Sequence, residues 1–243
     1  MTIPQSAPAR PRVGPAAGPM RKDDPVSQSP HRPLRKDAAR NRDLLLAAAN
    51  ELIATRGTDV TLNDIAHHAG VGVGTAYRHF TDKHEVLQAL LDRRIDQVQA
   101  IMTEATHAED AYEGLRDCIL KVGHLQAADR GMRQAISIAQ GPDERASVRE
   151  RLIPIATVLV ERAKATGRLR PEFQQGDLPM IFWTIGAISE YTVDVAPNLW
   201  RRYLEVLLDG FAAPGTEPRR PITVDPPDLD QLDAIMQTWP SKR

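Results

Sequence analysis

Residues 61–91 read TLNDIAHHAGVGVGTAYRHFTDKHEVLQALL. Leu62, Ile65, Ala66 and Ala69 recur at i, i+3, i+4 and i+7, the spacing of one apolar helix face. Thr61 stands just before that stripe and Asp64 at its third helical position, so the pair predicts a cap on the free amides of the first turn. Gly70 ends this helix, and a turn of a few residues leads into a short segment with Ala76 and Phe80 four apart. Two short helices joined by a tight glycine turn make a helix-turn-helix candidate. A further helix opens at Asp82 with Glu85 as its capping partner. Its stripe of Val86, Leu87, Leu90, Leu91, Ile95 and Val98 persists to about residue 106, long enough to connect two domains.

Gly70, Gly72 and Gly74 invite a nucleotide-cradle reading, which the spacing rejects. A dinucleotide fingerprint needs Gly-x-Gly-x-x-Gly between a strand and a helix. Counting from Gly70 puts Thr75 at the sixth position, counting from Gly72 puts Tyr77 there, and the preceding segment is an amphipathic helix. No Gly-Lys-Ser/Thr follows for a P-loop. A zinc helix needs His-Glu-x-x-His, and His84-Glu85 is followed three residues later by Gln88. His67, His68, His79 and His84 read as solvated or capping residues, and no metal or other cofactor is expected. A larger phosphate polymer fits better. Lys83 falls in a first turn, where the helix dipole disfavours a cation and a bound phosphate would resolve the conflict. Val73, Gly74, Thr75, Tyr77 and Arg78 are expected to point away from the Ala76–Phe80 face. There Thr75 can bond a base edge or phosphate, Val73 can touch a thymine methyl, and Arg78 can reach guanine or the backbone. Spacing alone leaves open a solvated helix in any all-α protein.

Working outward, residues 1–36 hold eight of the 19 prolines and seven Arg or Lys against Asp23 and Asp24, a net +5 in a chain of net charge −1. This predicts a disordered basic tail, with order beginning near Asp37. Cys118 is the only cysteine, which excludes an intramolecular disulfide and a Cys-based metal cage and fits a reducing compartment. The longest apolar run, IPIATVLV, falls far short of the roughly 20 residues of a membrane span and contains Pro154. The N-terminal stretch lacks the apolar core of a signal peptide, and its prolines oppose an amphipathic transit helix. No membrane association is expected, and the cytoplasm is the expected location.

From Asp37 to about residue 211 no alternating β pattern occurs, whereas apolar spacings of 3 and 4 recur, so the fold class is all-α. NRDLLLAAANELIATRG, residues 41–57, carries Leu45, Ala48, Ala49, Leu52 and Ile53 on one face with Gly57 as a stop. Later helices are predicted at about 110–128, 131–139, 143–166, 177–195 and 198–212, with Pro154 kinking the third of these. LDQLDAIMQTW adds a short terminal helix docked on the body.

With these residues in view, the chain resembles the TetR family of one-component transcriptional regulators. The resemblance covers residues 40 to about 95 and rests on Thr61, Ile65, Ala66, Gly70, Val71, Tyr77, Phe80, Lys83 and Leu87. It implies an N-terminal three-helix DNA-binding domain over 37–85, a helical ligand-binding and dimerisation domain over 86–212, and a Pro-rich tail over 213–243, about nine helices in all. It implies that residues 72–79 lie in the major groove of double-stranded DNA. Val73, Gly74 and Thr75 match base-reading positions; Tyr77, His79 and Lys83 match phosphate-holding positions; Thr61 matches a backbone-contacting cap. Arg78 occupies a variable position. Arg32, Arg35, Lys36 and Arg40 resemble N-terminal extensions that add backbone or minor-groove contacts.

The C-terminal half matches by architecture. In the family its last two helices form a four-helix bundle with a second subunit, and LWRRYLEVLLDGF places Trp200, Tyr203, Leu204, Leu207 and Phe211 on one wide apolar face. A homodimer then presents two recognition helices to a palindromic operator. A small-molecule effector is implied by the family, with Cys118, His124, Met132, Phe182 and Trp183 as candidate pocket residues. The expected function is a repressor released by that effector. The rivals are an all-α enzyme or ligand carrier keeping the motif structurally, and a regulator that responds to no ligand. No Ser-His-Asp set or paired carboxylates can be placed on a common face, so no catalytic activity is expected.

Overall fold

The computed structural model describes residues 31–129, 142–216, 218 and 220–238. They form helices α1 (His31–Arg56), α2 (Leu62–His68), α3 (Val73–His79), α4 (Lys83–Thr106), α5 (Ala111–Ala128), α6 (Pro142–Ala165), α7 (Asp177–Thr192), α8 (Leu199–Phe211) and α9 (Leu229–Thr238). No β-strand occurs among the described residues beyond an isolated bridge between Leu169 and Ala212. The helix expected over 131–139 lies outside them. α1 begins six residues before Asp37, inside the stretch assigned to the tail; Pro33 falls in its first turn, where a missing N–H costs no hydrogen bond. Pro154 sits on the exposed side of α6, which runs through it as one continuous helix.

The first core is built by the stripes read from sequence. Leu45, Ala49, Leu52 and Ile53 of α1, Ile65 and Ala66 of α2, Ala76 of α3 and Phe80 are buried together. Val86, Leu87, Ala89 and Leu90 complete it, so the boundary expected at 85/86 falls inside this core. The α2–α3 turn is fixed by a pair of closing hydrogen bonds. Gly70 N–H donates to His67 O at 3.2 Å and Val71 N–H to Ala66 O at 3.0 Å, while Gly70 takes φ +65°. That left-handed step costs glycine little, and Val71 beyond it is buried against the end of α2.

A second core lies between α4 to α8, around Val98, Met102, Leu115, Ile119, Leu159, Ile185, Trp200 and Leu204. α5 and α8 approach at Gly123, where an added Cβ would stand 2.6 Å from Leu204 Cδ2. The chain after α8 returns over the bundle. Glu205 accepts from Thr223 N at 2.8 Å and Thr223 Oγ1 at 2.7 Å, Arg202 Nη1 donates to Val224 O at 2.9 Å, and Arg220 pairs with Glu113. This strap carries α9 onto α7, as the expected docking of a terminal helix requires.

Phe80 is the largest wholly enclosed side chain of the first core. Phe80→Ala is expected to cost about 3–5 kcal/mol in urea denaturation, from lost transfer energy and the cavity left behind. A loss below about 1 kcal/mol would contradict this packing.

Candidate nucleic-acid interface

Backbone geometry holds α3 by its inner side. Gly72 caps it, its carbonyl accepting from Thr75 N at 2.8 Å and Ala76 N at 3.0 Å, and Phe80 N–H donates to Ala76 O at 2.9 Å as the helix closes. With Ala76 and Phe80 sunk in the core, Gly74, Tyr77 and Arg78 are exposed and Thr75 and His79 half-buried. An added Cβ at Gly74 would meet nothing within 4 Å, so that part of the helix is open surface. Tyr77 is 50% exposed, unusual for so large a ring on a seven-residue helix. Val73 corrects its reading as a fully outward residue. It is half-buried and packs on the first core, because it precedes Ala76 by three and Phe80 by seven and so shares their stripe.

Both flanking helix starts are capped as the sequence predicts. Thr61 Oγ1 accepts from Asp64 N at 3.1 Å while Asp64 Oδ2 accepts from Thr61 N at 2.9 Å. Thr61 Oγ1 also donates to Asp64 Oδ2 at 2.5 Å, and these bonds from the Thr61 side chain and backbone hold the Asp64 carboxyl below its ordinary range. At α4, Asp82 accepts from Glu85 N at 2.9 Å, and Glu85 reaches back to Thr81 N and Oγ1. Lys83 is half-buried in that first turn, whose dipole is also met by the capping carboxylates of Asp82 and Glu85. Arg42 lies 5.3 Å over the Phe80 ring, and Arg40 is exposed on α1 beside Asp37 and Asp43. His68 Nε2 is 2.9 Å from Glu51 Oε2, His67 and His84 are exposed, and no group of three metal-ligating side chains occurs among the described residues.

The five pocket candidates do not converge among the described residues. Cys118 belongs to the second core, where burial pushes its thiol up to about 12 and keeps it neutral. Phe182 is half-buried against the same core. His124 is exposed with its ring 6.0 Å from that of Trp200, Trp183 is 62% exposed, and Met132 lies outside the described residues. A cavity of only about 10 Å³ occurs elsewhere, between Tyr112, Ile119, Phe173 and Phe211.

The proposed contact face on α8 also divides. Trp200 and Leu204 are buried in the chain's own core, and Phe211 packs edge-on to Phe173 at 4.9 Å. Tyr203 is exposed and Leu207 half-buried. Sequence reasoning missed Val206 and Gly210, which join them at i, i+3, i+4 and i+7, and a matching row on α7, Met180, Trp183, Thr184 and Ala187. The signal was present as a second apolar stripe on each helix. Periodicity marks apolar faces without saying which neighbour covers each one.

Residues 45–90 match the family described as bacterial regulatory proteins, tetR family. Over 145 residues the chain is 30% identical to the HTH-type transcriptional regulator SrpR of Pseudomonas putida, covering 59% of this chain and 66% of that protein. The chain spans between about a third and two thirds of the length of the curated relatives it matches. A TetR transcription regulatory protein from Mycobacterium vanbaalenii superposes with a TM-score of 0.54 at 27% identity, over 74% of this chain and all of that one. The triclosan complex of SmeT from Stenotrophomonas maltophilia shares the fold, with a TM-score of 0.56 at 19% identity over 78% of this chain and all of that one.

The Thr61–Asp64 box gives a test of the head's local chemistry. Thr61→Val is expected to raise the Asp64 carboxyl toward its ordinary pKa, read by carbon-detected NMR titration. Because the folded value is depressed, the wild-type stabilisation is present above the unfolded pKa and is lost as pH falls through the folded one. Asp64→Asn should remove that acid-limb contribution; an unchanged limb would contradict it.

Proposed function

We propose that this chain, which belongs to the tetR family of bacterial regulatory proteins, regulates transcription by binding double-stranded DNA as a homodimer. The observation that carries the reading is α3. Its inner side is locked into the first core, while Gly74, Thr75, Tyr77 and Arg78 lie outward on a surface that no other part of the described chain needs. In the major groove, open space at Gly74 lets the backbone approach the bases. Thr75 and Arg78 read base edges, with the Val73 methyls at the margin. Tyr77, His79, Lys83 and the Thr61 cap hold phosphates, and Arg40 adds charge from α1. The rigidity of the head serves recognition, because a base contact discriminates only if its donor is fixed before binding.

The dimer forms through the paired stripes of α7 and α8. Met180 is 49% exposed and Tyr203 40%, and Trp183 and Val206 are exposed beside them in the rows of these two neighbouring helices. Ala187 and Gly210 are small enough to let two copies come close. A twofold axis through that surface gives two heads, and half-sites one helical turn, about 34–36 Å, apart make the operator palindromic. Repression follows where the operator overlaps a promoter.

Effector control rests on the fold shared with SmeT, whose complex holds triclosan. In this chain Cys118 and Phe182 retain inward positions suited to an apolar effector, which must open space between α5 and α7 to enter. A ligand that prefers subunits with more widely separated heads lowers operator affinity through differential binding alone.

Genomic fragments selected on the purified protein supply the operator. With that duplex, Tyr77→Phe and Lys83→Ala are expected to weaken binding to all sequences, Lys83→Ala lowering the salt slope by about one per subunit. Thr75→Ala should change preference among operators. Equal affinity for the wild type and all three variants in mobility shifts would refute the groove assignment. Trp183→Glu is expected to yield monomers in sedimentation and to weaken the dimer by about 2 kcal/mol or more; a persisting dimer would move the interface elsewhere.

A further inference from the structure

The last turn of α5 is held by side chains from three other helices. The carbonyls of a helix's last turn have no intrahelical donor, so whatever bonds them fixes where that end lies. Arg94 of α4, with a side chain only 4% exposed, donates through Nη2 to Leu125 O at 3.2 Å. Ser189 of α7, wholly buried, donates through Oγ to Ala127 O at 3.1 Å. The cap residue Asp129 closes the set. Its Oδ2 stands 3.4 Å from Arg94 Nη2, and its Oδ1 accepts from Asn50 Nδ2 of α1 at 3.0 Å. Asn50 lies 79 residues away in the chain and belongs to the helix that backs α2 and α3.

These bonds lie inside the contact between parts whose other polar links, Arg93–Asp43 between α4 and α1 and Lys121–Glu104 between α5 and α4, join exposed side chains. α1 carries the reading head, α4 passes from one core to the other, and α7 carries the proposed dimer stripe on its opposite side. Apolar packing fixes these helices by shape without naming one donor for one acceptor. The bonds of the buried Arg94 guanidinium and Ser189 hydroxyl are directional and costly to break out of reach of water, and the half-buried Asp129 ties Asn50 to that set. The Asn50 amide is oriented by its Nδ2 bond to Asp129, since its Oδ1 is buried without a hydrogen-bond partner among the described residues.

We propose that Asp129 is a positioning residue that couples the orientation of the reading head to the end of α5, through Asn50 on the head and Arg94 on α4. The proposal rests on the DNA-binding reading above. Coupling between two sites is reciprocal, so DNA on the head must be felt at α5 whatever the effector is.

The test is amide hydrogen exchange over residues 122–129 in the full chain, with and without the selected operator duplex. In the wild type, DNA is expected to slow exchange at the end of α5 by about fivefold, the lower end of the usual coupling range. Asn50→Leu keeps side-chain volume and removes the amide; Asp129→Asn removes the charge facing Arg94. Both variants should still shift the duplex in a gel while losing most of that DNA-dependent protection. Unchanged α5 exchange in a DNA-bound wild type overturns the coupling alone. So does protection retained in full by both variants, even if their melting temperatures fall, since a merely structural contact would do that. A wild type that binds no duplex overturns the function and the coupling together.

Discussion

A single apolar stripe on α4 holds the molecule together. Val86, Leu87 and Leu90 close the core under the reading head, Leu91 and Ile95 meet Val148 and Leu152 of α6, and Val98 and Met102 enter the second core. One rigid helix thus belongs to both halves. A helix buried along its length rotates or tilts as a body, so a change at its far end reaches its first turn. That first turn carries Lys83 and adjoins Phe80, the residue on which α3 is seated.

The head shows how little sequence is needed to present a readable surface. Two capping arrangements, at Thr61 and Asp82, start the flanking helices, and the left-handed step at Gly70 sets the angle between α2 and α3. Val73, Ala76 and Phe80 then spend the short helix's inner side on packing. Gly74, Tyr77 and Arg78, unlike as they are, stand exposed on the other side, where packing does not dictate residue type and the proposed recognition would draw on them.

Local features were legible in the sequence because their causes are local. The capping box at Thr61 and Asp64, the stop at Gly70, the start at Asp82 and the all-α class all follow from residues within one or two turns of each other. Val73 was misread because a helix of two turns has too few positions to separate its margin from its outer face. Trp200 and Leu204 were legible as apolar, yet their neighbour is α5 of the same chain, at Gly123, rather than a second subunit. Trp183 shows the converse, an aromatic that reads as interior and stands at the surface. The Glu205–Thr223 strap and the Asn50–Asp129 bond join residues 18 and 79 apart, and polar pairs at such separations leave no periodic trace.

Taken together, a packed head, a shared helix and an apolar face exposed among the described residues support the proposed two-armed reader, whose spacing its dimer would set. The most direct measurement is hydroxyl-radical footprinting of the duplex selected from genomic DNA, with the chain count per duplex taken from sedimentation. The account predicts two protected patches related by a dyad, about one helical turn apart, with a whole number of chain pairs per duplex. A single unpaired patch with one chain bound, or no recurring sequence among the selected fragments, would contradict it.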